Sequence, residues 1–338
     1  MARNRKSVTI YDVAEAAGVS VSTVSRVLND KDDVSEETYE SVKQVITELG
    51  YASSLAARGM RSRHTNVIGL IMPDVASIYS ATVMRGVNQA IAQLNYDLIV
   101  YTNGDTRKNT TADQENYYVS LLNGSIVDGV IVVTPAATSF STAAPVVCID
   151  PNNDTLNSAA VIATNRDGAL QAMQYLIDLG HRRIGFITGR IELISSIRRL
   201  QGYKDGLAMA GIPYEPDLVQ QGDFTIETAV ECARKLLALD DRPTAIFASN
   251  DMSAIGVYQA AEQAGLRIPD DLSVVGFDNL RESELLSPPL TTVDQFIPEM
   301  GVLAIEMLVK LIKGENLATK LHKIQTDLVV RDSCRRLP

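Results

Sequence analysis

Acidic and amide side chains recur where strands should end. Asp150 closes PVVCID, Asp278 closes LSVVGFD, and Asn250 and Asp251 follow AIFAS. Open parallel sheets bind ligands just outside the carboxyl ends of their strands, so these positions could accept hydrogen bonds from a hydroxylated ligand. Capping the next turn or helix is the ordinary role of such residues, and it is the main reading for Asp251 and for Asn165. Covalent and metal chemistry have less to build on. VIGLIMPD lacks the GxGxxG spacing of a dinucleotide site, and no phosphate loop of the form GxxxxGK followed by Ser or Thr occurs. His64, His181 and His322 stand far apart with no HExxH pair, which leaves them hinge-surface or helix-end roles, and no GxSxG element surrounds a serine. The pattern favours binding over turnover: it marks no catalytic residue, no metal site and no cofactor.

Those strand ends need sheets behind them. VIGLIMPD at 67–74, a helix around Ala81–Leu94 and the run YDLIVYTNG set up a β-α-β rhythm. The helical YYVSLLNG stretch, DGVIVV at 128–133 and PVVCID at 145–150 continue it, and RRIGFITG at 182–189 starts it again, with Pro213 and Pro216 among the later breakers. Four positions recur at an offset of 116: Gly69 with Gly185, Gly86 with Gly202, Asn95 with Gly211, and Val130 with Ile246. Ordered equivalences of this kind predict two similar parallel-sheet lobes, and two lobes create a cleft.

The first fifty residues follow a different period. Thr9 can cap a helix through Ala16, with Asp12 as the reciprocal acidic cap, and Gly18 ends it. Ser20 can cap a second helix over Val21–Leu28 after only a short turn, and a third from about Ser35 to Leu49 supplies Val42, Val45, Ile46 and Leu49. Ala14, Val19, Val24, Val27 and Leu28 form a candidate buried seam. Ser22, Thr23 and Ser25 are short enough to let the second helix approach a duplex closely. Periodicity alone fits either a DNA-binding helix-turn-helix or a structural helical bundle. The run YASSLAARGMRSR at 51–63 reads as a basic linker or as a short helix interrupted by Gly59, marginal on its own in water.

Composition narrows the classes. At 338 residues, with 46% hydrophobic and 21% charged side chains, the chain has material for several folded domains and none of the marks of bulk disorder. Its net charge of -10 argues against a wholly nucleic-acid-coating surface, yet residues 1–63 hold nine basic and nine acidic side chains, so the entire acidic excess lies beyond them. Cys148, Cys232 and Cys334 are too sparse for a disulfide framework, which points to a reduced cytoplasm. The basic opening carries no apolar leader core, and no stretch reaches the length of a membrane span.

The segment TIYDVAEAAGVSVSTVSRVLN at 9–29 closely resembles the DNA-binding head of LacI/GalR-family transcriptional regulators. By that resemblance Val21 and Ser22 match the base-reading pair, Arg26 a further groove-contacting position, and Thr9, Tyr11, Thr23 and Ser25 conserved or phosphate-side positions. A valine can touch a thymine methyl and an arginine can read guanine or clamp a phosphate. Residues 51–63 resemble the family's hinge, which orders on operator DNA and wedges an apolar side chain into a base step; Ala57 and Arg58 fit its motif, and Met60 stands where Leu is usual. Arg58, Arg61 or Arg63 is expected to meet backbone phosphate more than base edges.

From about Val67 to Asp332 the chain resembles the family's effector core, through LGHRRIGFITG, the RxxGY run at Arg199–Tyr203, AIFASND at 245–251, SVVGFDN at 273–279 and PLTTVDQ at 289–295. The resemblance implies an all-α three-helix helix-turn-helix head over 1–50, a hinge over 51–63, and an α/β body over 64–338. That body comprises two Rossmann-like lobes of periplasmic-binding-protein type I: lobe one at roughly 64–162 and 293–325, and lobe two at roughly 163–292 and 326–338. It makes Arg199, Asn250 and Asp278 hydroxyl or ring-oxygen ligands, Asp150 a further polar contact and Phe224 an aromatic packed on a sugar face. Asp74, Ser77 and Tyr79 are further candidates from lobe one. Ser77, Ile78 and Tyr79 replace the Asn-Pro-Phe-like run usual in the family, and Thr164 and Asn165 replace an Asp-Asn pair.

The expectation is a cytoplasmic homodimer on double-stranded pseudopalindromic operator DNA, a repressor whose affinity changes when a small carbohydrate binds between the lobes. Release of repression is the default sign. Phosphorylated sugars fit less well, because no local excess of Lys or Arg marks the cleft. A purine or other metabolite as effector is the alternative. A soluble sugar-binding protein without DNA function is a third reading, and an enzyme would need a catalytic set that the sequence does not offer.

Overall fold

The computed structural model describes residues 8–28, 31, 33–51, 64–102, 112–123, 126–153 and 157–338. The chain divides into an N-terminal unit and a body that begins at Asn66. The expected hinge contacts Ala57, Arg58 and Met60, with Arg61 and Arg63, lie outside the described residues.

In the N-terminal unit three helices, α1 (Ile10–Ala17), α2 (Val21–Leu28) and α3 (Glu36–Leu49), pack around Ile10, Val13, Ala14, Val24, Val27 and Val42. The α1–α2 turn is built by Gly18 in the left-handed region at φ 65°, with the Gly18 and Val19 amides returning to the Glu15 and Ala14 carbonyls. Ser20 Oγ then accepts the Thr23 amide at 3.1 Å, which caps α2. Val19, Leu28, Val45 and Ile46 are half-buried against this core, whereas Leu49, expected inside, is 37% exposed at the end of α3.

The body holds two six-stranded sheets. The first has the order β11-β5-β4-β3-β1-β2 and the second β12-β10-β9-β8-β6-β7, so each repeats the other's layout. In the first sheet the strands are β1 (Val67–Met72), β2 (Asp97–Thr102), β3 (Gly129–Val133), β4 (Val146–Ile149), β5 (Ala159–Ala163) and β11 (Leu321–Ile324). In the second they are β6 (Ile184–Ile187), β7 (Val219–Gln220), β8 (Ala245–Ala248), β9 (Ser273–Asp278), β10 (Thr291–Asp294) and β12 (Asp327–Val329). Every residue of β1, β3, β4, β5, β6, β8 and β9 is buried, as a parallel sheet covered on both faces requires.

The offset seen in the sequence holds in register. Gly69 pairs with Val130 between β1 and β3, and Gly185 pairs with Ile246 between β6 and β8. Asn95 at φ 56° and Gly211 at φ 66° both turn the chain through the left-handed region. Gly86, on the helix Ile78–Ile91, meets the helix Ile297–Ile312 so closely that a Cβ would sit 1.8 Å from the Pro298 carbonyl oxygen. Gly202, on the helix Ile194–Met209, meets Asn165–Asp178 in the same way, with a Cβ placed 2.4 Å from the Arg166 carbonyl oxygen. The sheets differ at one edge: β11 runs parallel to β5, whereas β12 runs antiparallel to β10.

The helix Ile78–Ile91 begins three residues ahead of the expected Ala81, because the Ser77 carbonyl already accepts the Ala81 amide at 2.9 Å. The chain passes between the sheets after β5, after β10, and between β11 and β12. Asp150 and Asp278, at the carboxyl ends of β4 and β9, come close enough across the two lobes for Asp150 to raise the Asp278 carboxyl.

Candidate functional site

Arg199 organises the cleft. It lies in the middle of Ile194–Met209, is 3% exposed, and is held from several directions. Its Nε donates to Asn165 Oδ1 at 2.8 Å and its Nη1 donates to the Ser249 carbonyl. Nη1 also lies 3.5 Å from Asp278 Oδ1, and the guanidinium carbon stands 3.8 Å from the Phe277 ring centroid and 5.9 Å from that of Phe224. A planar cation fixed by a carboxamide, a carbonyl, a carboxylate and an aromatic face is a preorganised donor.

Asp278 leaves β9 at φ 115°, in strained backbone, and accepts Gln295 Nε2 at 2.6 Å. Burial pushes its carboxyl up to about 7, opposed by Arg199 and the Gln295 hydrogen bond and reinforced by Asp150 and Asp294. Asp150, at φ 47° after β4, is likewise raised by burial and held down by Arg199 and Arg198. Tyr79 is raised first by burial, then by the nearby Asp150 and Asp278. Its hydroxyl is buried outside hydrogen-bonding geometry, with the Thr134 hydroxyl close by. The Phe224 ring covers Gly189 so tightly that a Cβ there would sit 2.0 Å from the ring, and Asn250 Nδ2 donates to the Phe224 carbonyl at 3.3 Å.

The structure thus gathers Tyr79, Asp150, Arg199, Phe224 and Asp278, with Asn250 at the edge. The Asn250 carboxamide is also the cap of Asp251–Gln263, accepting the Ser253 amide at 2.9 Å. Asp74 Oδ1 accepts the Ala76 amide at 2.8 Å in its own turn, and Ser77 opens Ile78–Ile91; no hydrogen bond among the described residues joins either to the cluster.

Two residues exceed their expected roles. Asn165, read as a helix cap, orients Arg199. Asp251 is fully buried and ties the post-β9 loop to β10, accepting the Leu280 amide at 2.7 Å and the Thr292 hydroxyl at 2.5 Å; burial and Asp278 raise its carboxyl. Gln295, not singled out from the sequence, is 1% exposed, and its Oε1 has no hydrogen-bond partner. Ser196 Oγ is buried and unpartnered too, three residues before Arg199 and therefore on the same helix face. His181 is corrected from a surface or cap position: it is buried, bonded to the Thr244 hydroxyl at 2.9 Å and the Arg335 carbonyl at 3.2 Å.

Donors, carboxylates, unmet buried oxygens and an aromatic face suit a neutral, hydroxyl-rich ligand. Among the described residues no cluster of His, Cys, Asp or Glu is arranged as a metal site, and no helix is long and apolar enough to cross a membrane.

On the N-terminal unit, Tyr11 is 71% exposed and Ser22 and Arg26 are also exposed, whereas Val21, Thr23 and Ser25 are half-buried. Thr9 is engaged with Asp12, whose carboxylate accepts both its amide and its hydroxyl at 2.7 Å. Ser20 Oγ meets Ser22 Oγ at 2.6 Å and Thr23 Oγ1 at 2.9 Å, and Arg26 pairs with Asp33 at 3.4 Å. The exposed face of α2 therefore presents Ser22 and Arg26 to solvent.

Comparison with known proteins agrees with both units. The model of bacterial regulatory proteins of the lacI family matches residues 9–54, and that of the periplasmic binding protein-like domain matches 173–334. The chain is 37% identical to the ribose operon repressor of Haemophilus influenzae, over 96% of this chain and 98% of that one. It resembles a transcriptional regulator CelR–cellobiose complex at TM-score 0.70 and 32% identity, covering 96% of this chain and 99% of the other. It resembles the lac repressor dimer bound to operator and the anti-inducer ONPF at TM-score 0.83 and 27% identity, covering 98% and 100%. With its head matched by the family model and nearly its whole length shared with a repressor, the chain belongs to the LacI family of DNA-binding transcriptional regulators, which respond to effectors and are not enzymes.

Proposed function

We propose that this protein is a repressor whose operator affinity is set by a small carbohydrate bound between the two lobes. The observation that carries the reading is Arg199, buried and fixed by Asn165, Ser249 and Asp278 beneath Phe277, beside the unmet oxygens of Tyr79, Ser196 and Gln295. Carboxylates accept from vicinal hydroxyls, the guanidinium donates in a fork, and Phe224 supplies a face for a pyranose. The ribose and cellobiose in the names of similar proteins support the same class.

Two heads of a homodimer would occupy the halves of a pseudopalindromic site. Val21, Ser22 and Arg26 would meet base edges, Thr9, Tyr11, Thr23 and Ser25 the backbone, and Ala57 and Met60 the central minor groove, with Arg58 on the flanking phosphates. Effector binding would shift the lobes and release the operator. Calorimetric titration of the full chain with a panel of sugars and nucleobases tests the reading. A sugar should bind, with Arg199→Ala and Asp278→Ala each losing at least about tenfold in affinity. Binding of nucleobases alone, or of neither class, would overturn it.

A further inference from the structure

The helix that carries Ser196 and Arg199 starts without a cap of its own. Its N-cap position is Leu193, which offers no side-chain acceptor, so the first amides need partners from elsewhere. The Ile194 amide finds one across the cleft: Asn152 Oδ1 accepts it at 2.8 Å. The same carboxamide donates from Nδ2 to the Glu192 carbonyl at 3.0 Å. Asn152 follows β4 of the first sheet, two residues after Asp150, whereas Glu192 and Ile194 follow β6 of the second.

Both ends of this contact are braced. The Asn152 amide donates to the Pro135 carbonyl at 2.8 Å, and Asn153 Nδ2 donates to the Ala137 carbonyl at 3.0 Å, so the loop bearing Asn152 is pinned to its own lobe. On the other side the Glu192 carboxylate is paired with Arg190 at 2.7 Å, leaving the backbone carbonyl to face Asn152. A carboxamide has the donor and acceptor of a peptide group, and here it engages an amide and a carbonyl two residues apart as a neighbouring strand would.

We propose that Asn152 is a positioning residue that caps the Arg199 helix from the opposite lobe, and so acts as a clasp that closes the effector cleft without touching the effector. The inference rests on the effector reading above for its functional consequence. With Oδ1 bonded to Ile194 and Nδ2 to Glu192, Asn152 sets where the helix begins, and hence where Ser196 and Arg199 stand. Opening the lobes must break both bonds, so closure by ligand and closure by the clasp favour each other.

Hydrogen exchange on the full-length, ligand-free protein reads the clasp directly at the Ile194 amide. That amide should exchange several-fold faster in Asn152→Ala than in wild type. Asn152→Asp, which keeps the acceptor but loses the donor, should restore part of the protection. Saturation with the sugar identified by titration should erase most of the difference. Asn152→Ala should weaken every sugar in a series by the same factor, about tenfold for two hydrogen bonds of ordinary net strength. Equal exchange in wild type and Asn152→Ala would overturn the clasp, as would a loss confined to sugars bearing one particular hydroxyl, which would make Asn152 a ligand contact. If no sugar binds wild type, the effector reading fails while the exchange comparison still decides the clasp.

Discussion

Asp278 is the side chain through which acidity reaches the cleft. Its carboxyl stands at about 7 because it is buried, with Arg199 and Gln295 favouring the charged form, and Asp150 and Asp294 opposing it. A carboxyl raised in the folded state keeps its proton at pH values where the unfolded chain has lost it. Its contribution to stability is therefore full below the ordinary carboxylate range and declines as pH rises through 7. Binding runs the other way, since a sugar hydroxyl donates more strongly to the carboxylate of Asp278 than to its protonated form. Sugar affinity should rise about tenfold from pH 6 to pH 8, the span set by one proton with a midpoint near 7, and should be flat in Asp278→Asn. Calorimetry over that range checks both, and a flat wild-type profile would remove Asp278 as an ionising contact. Asp150 and Asp278 were legible as acids at the carboxyl ends of buried strands. Arg199 was not, because a mid-helix arginine carries no sign of burial in its own sequence, and only the family resemblance pointed to it. Gln295 offered the strand-end signal of Asp278, one residue beyond β10, yet an amide there is also an ordinary turn residue. The bond from Asn165 to Arg199 joins distant segments and leaves no local pattern.

At the scale of elements, the duplicated lobes depend on two helix crossings at which the backbones nearly touch. Replacing Gly202 by Val would force a side chain into the Arg166 carbonyl, where even a Cβ stands at 2.4 Å. Overpacking of this kind typically costs about 2 kcal/mol, and backbone is less able to yield than the tip of a side chain. Gly202→Val should lower the unfolding free energy of the body by that amount and move its urea midpoint down in proportion, whereas Gly211→Asn, at a left-handed position with open space around its Cα, should change it little. An unchanged midpoint in Gly202→Val would mean that the two helices can separate freely. The repeat, the first strands of each lobe and the helix-turn-helix were readable because apolar runs and capping residues are local. The short strands β7, β11 and β12 were not, since two to four residues at a sheet edge carry no periodicity.

For the whole molecule, the separation of charge decides how DNA is approached. An acidic body joined to a neutral N-terminal segment should bind nonspecific DNA weakly and specific DNA through a small set of contacts on α2. Saturating sugar should change operator affinity at least about fivefold in wild type, as fluorescence anisotropy with labelled operator would show, and an unchanged affinity would break the link between cleft and DNA. Asp33→Asn, which discharges the acid beside Arg26, should tighten binding to random-sequence duplex more than to operator, and equal tightening on both would assign the Arg26–Asp33 pair no part in discrimination. That ion pair has a consequence for speed as well as for choice. An arginine already occupied by its own carboxylate should grip each passing phosphate less firmly, so wild type should slide along irrelevant sequence with less friction than Asp33→Asn and reach its target sooner.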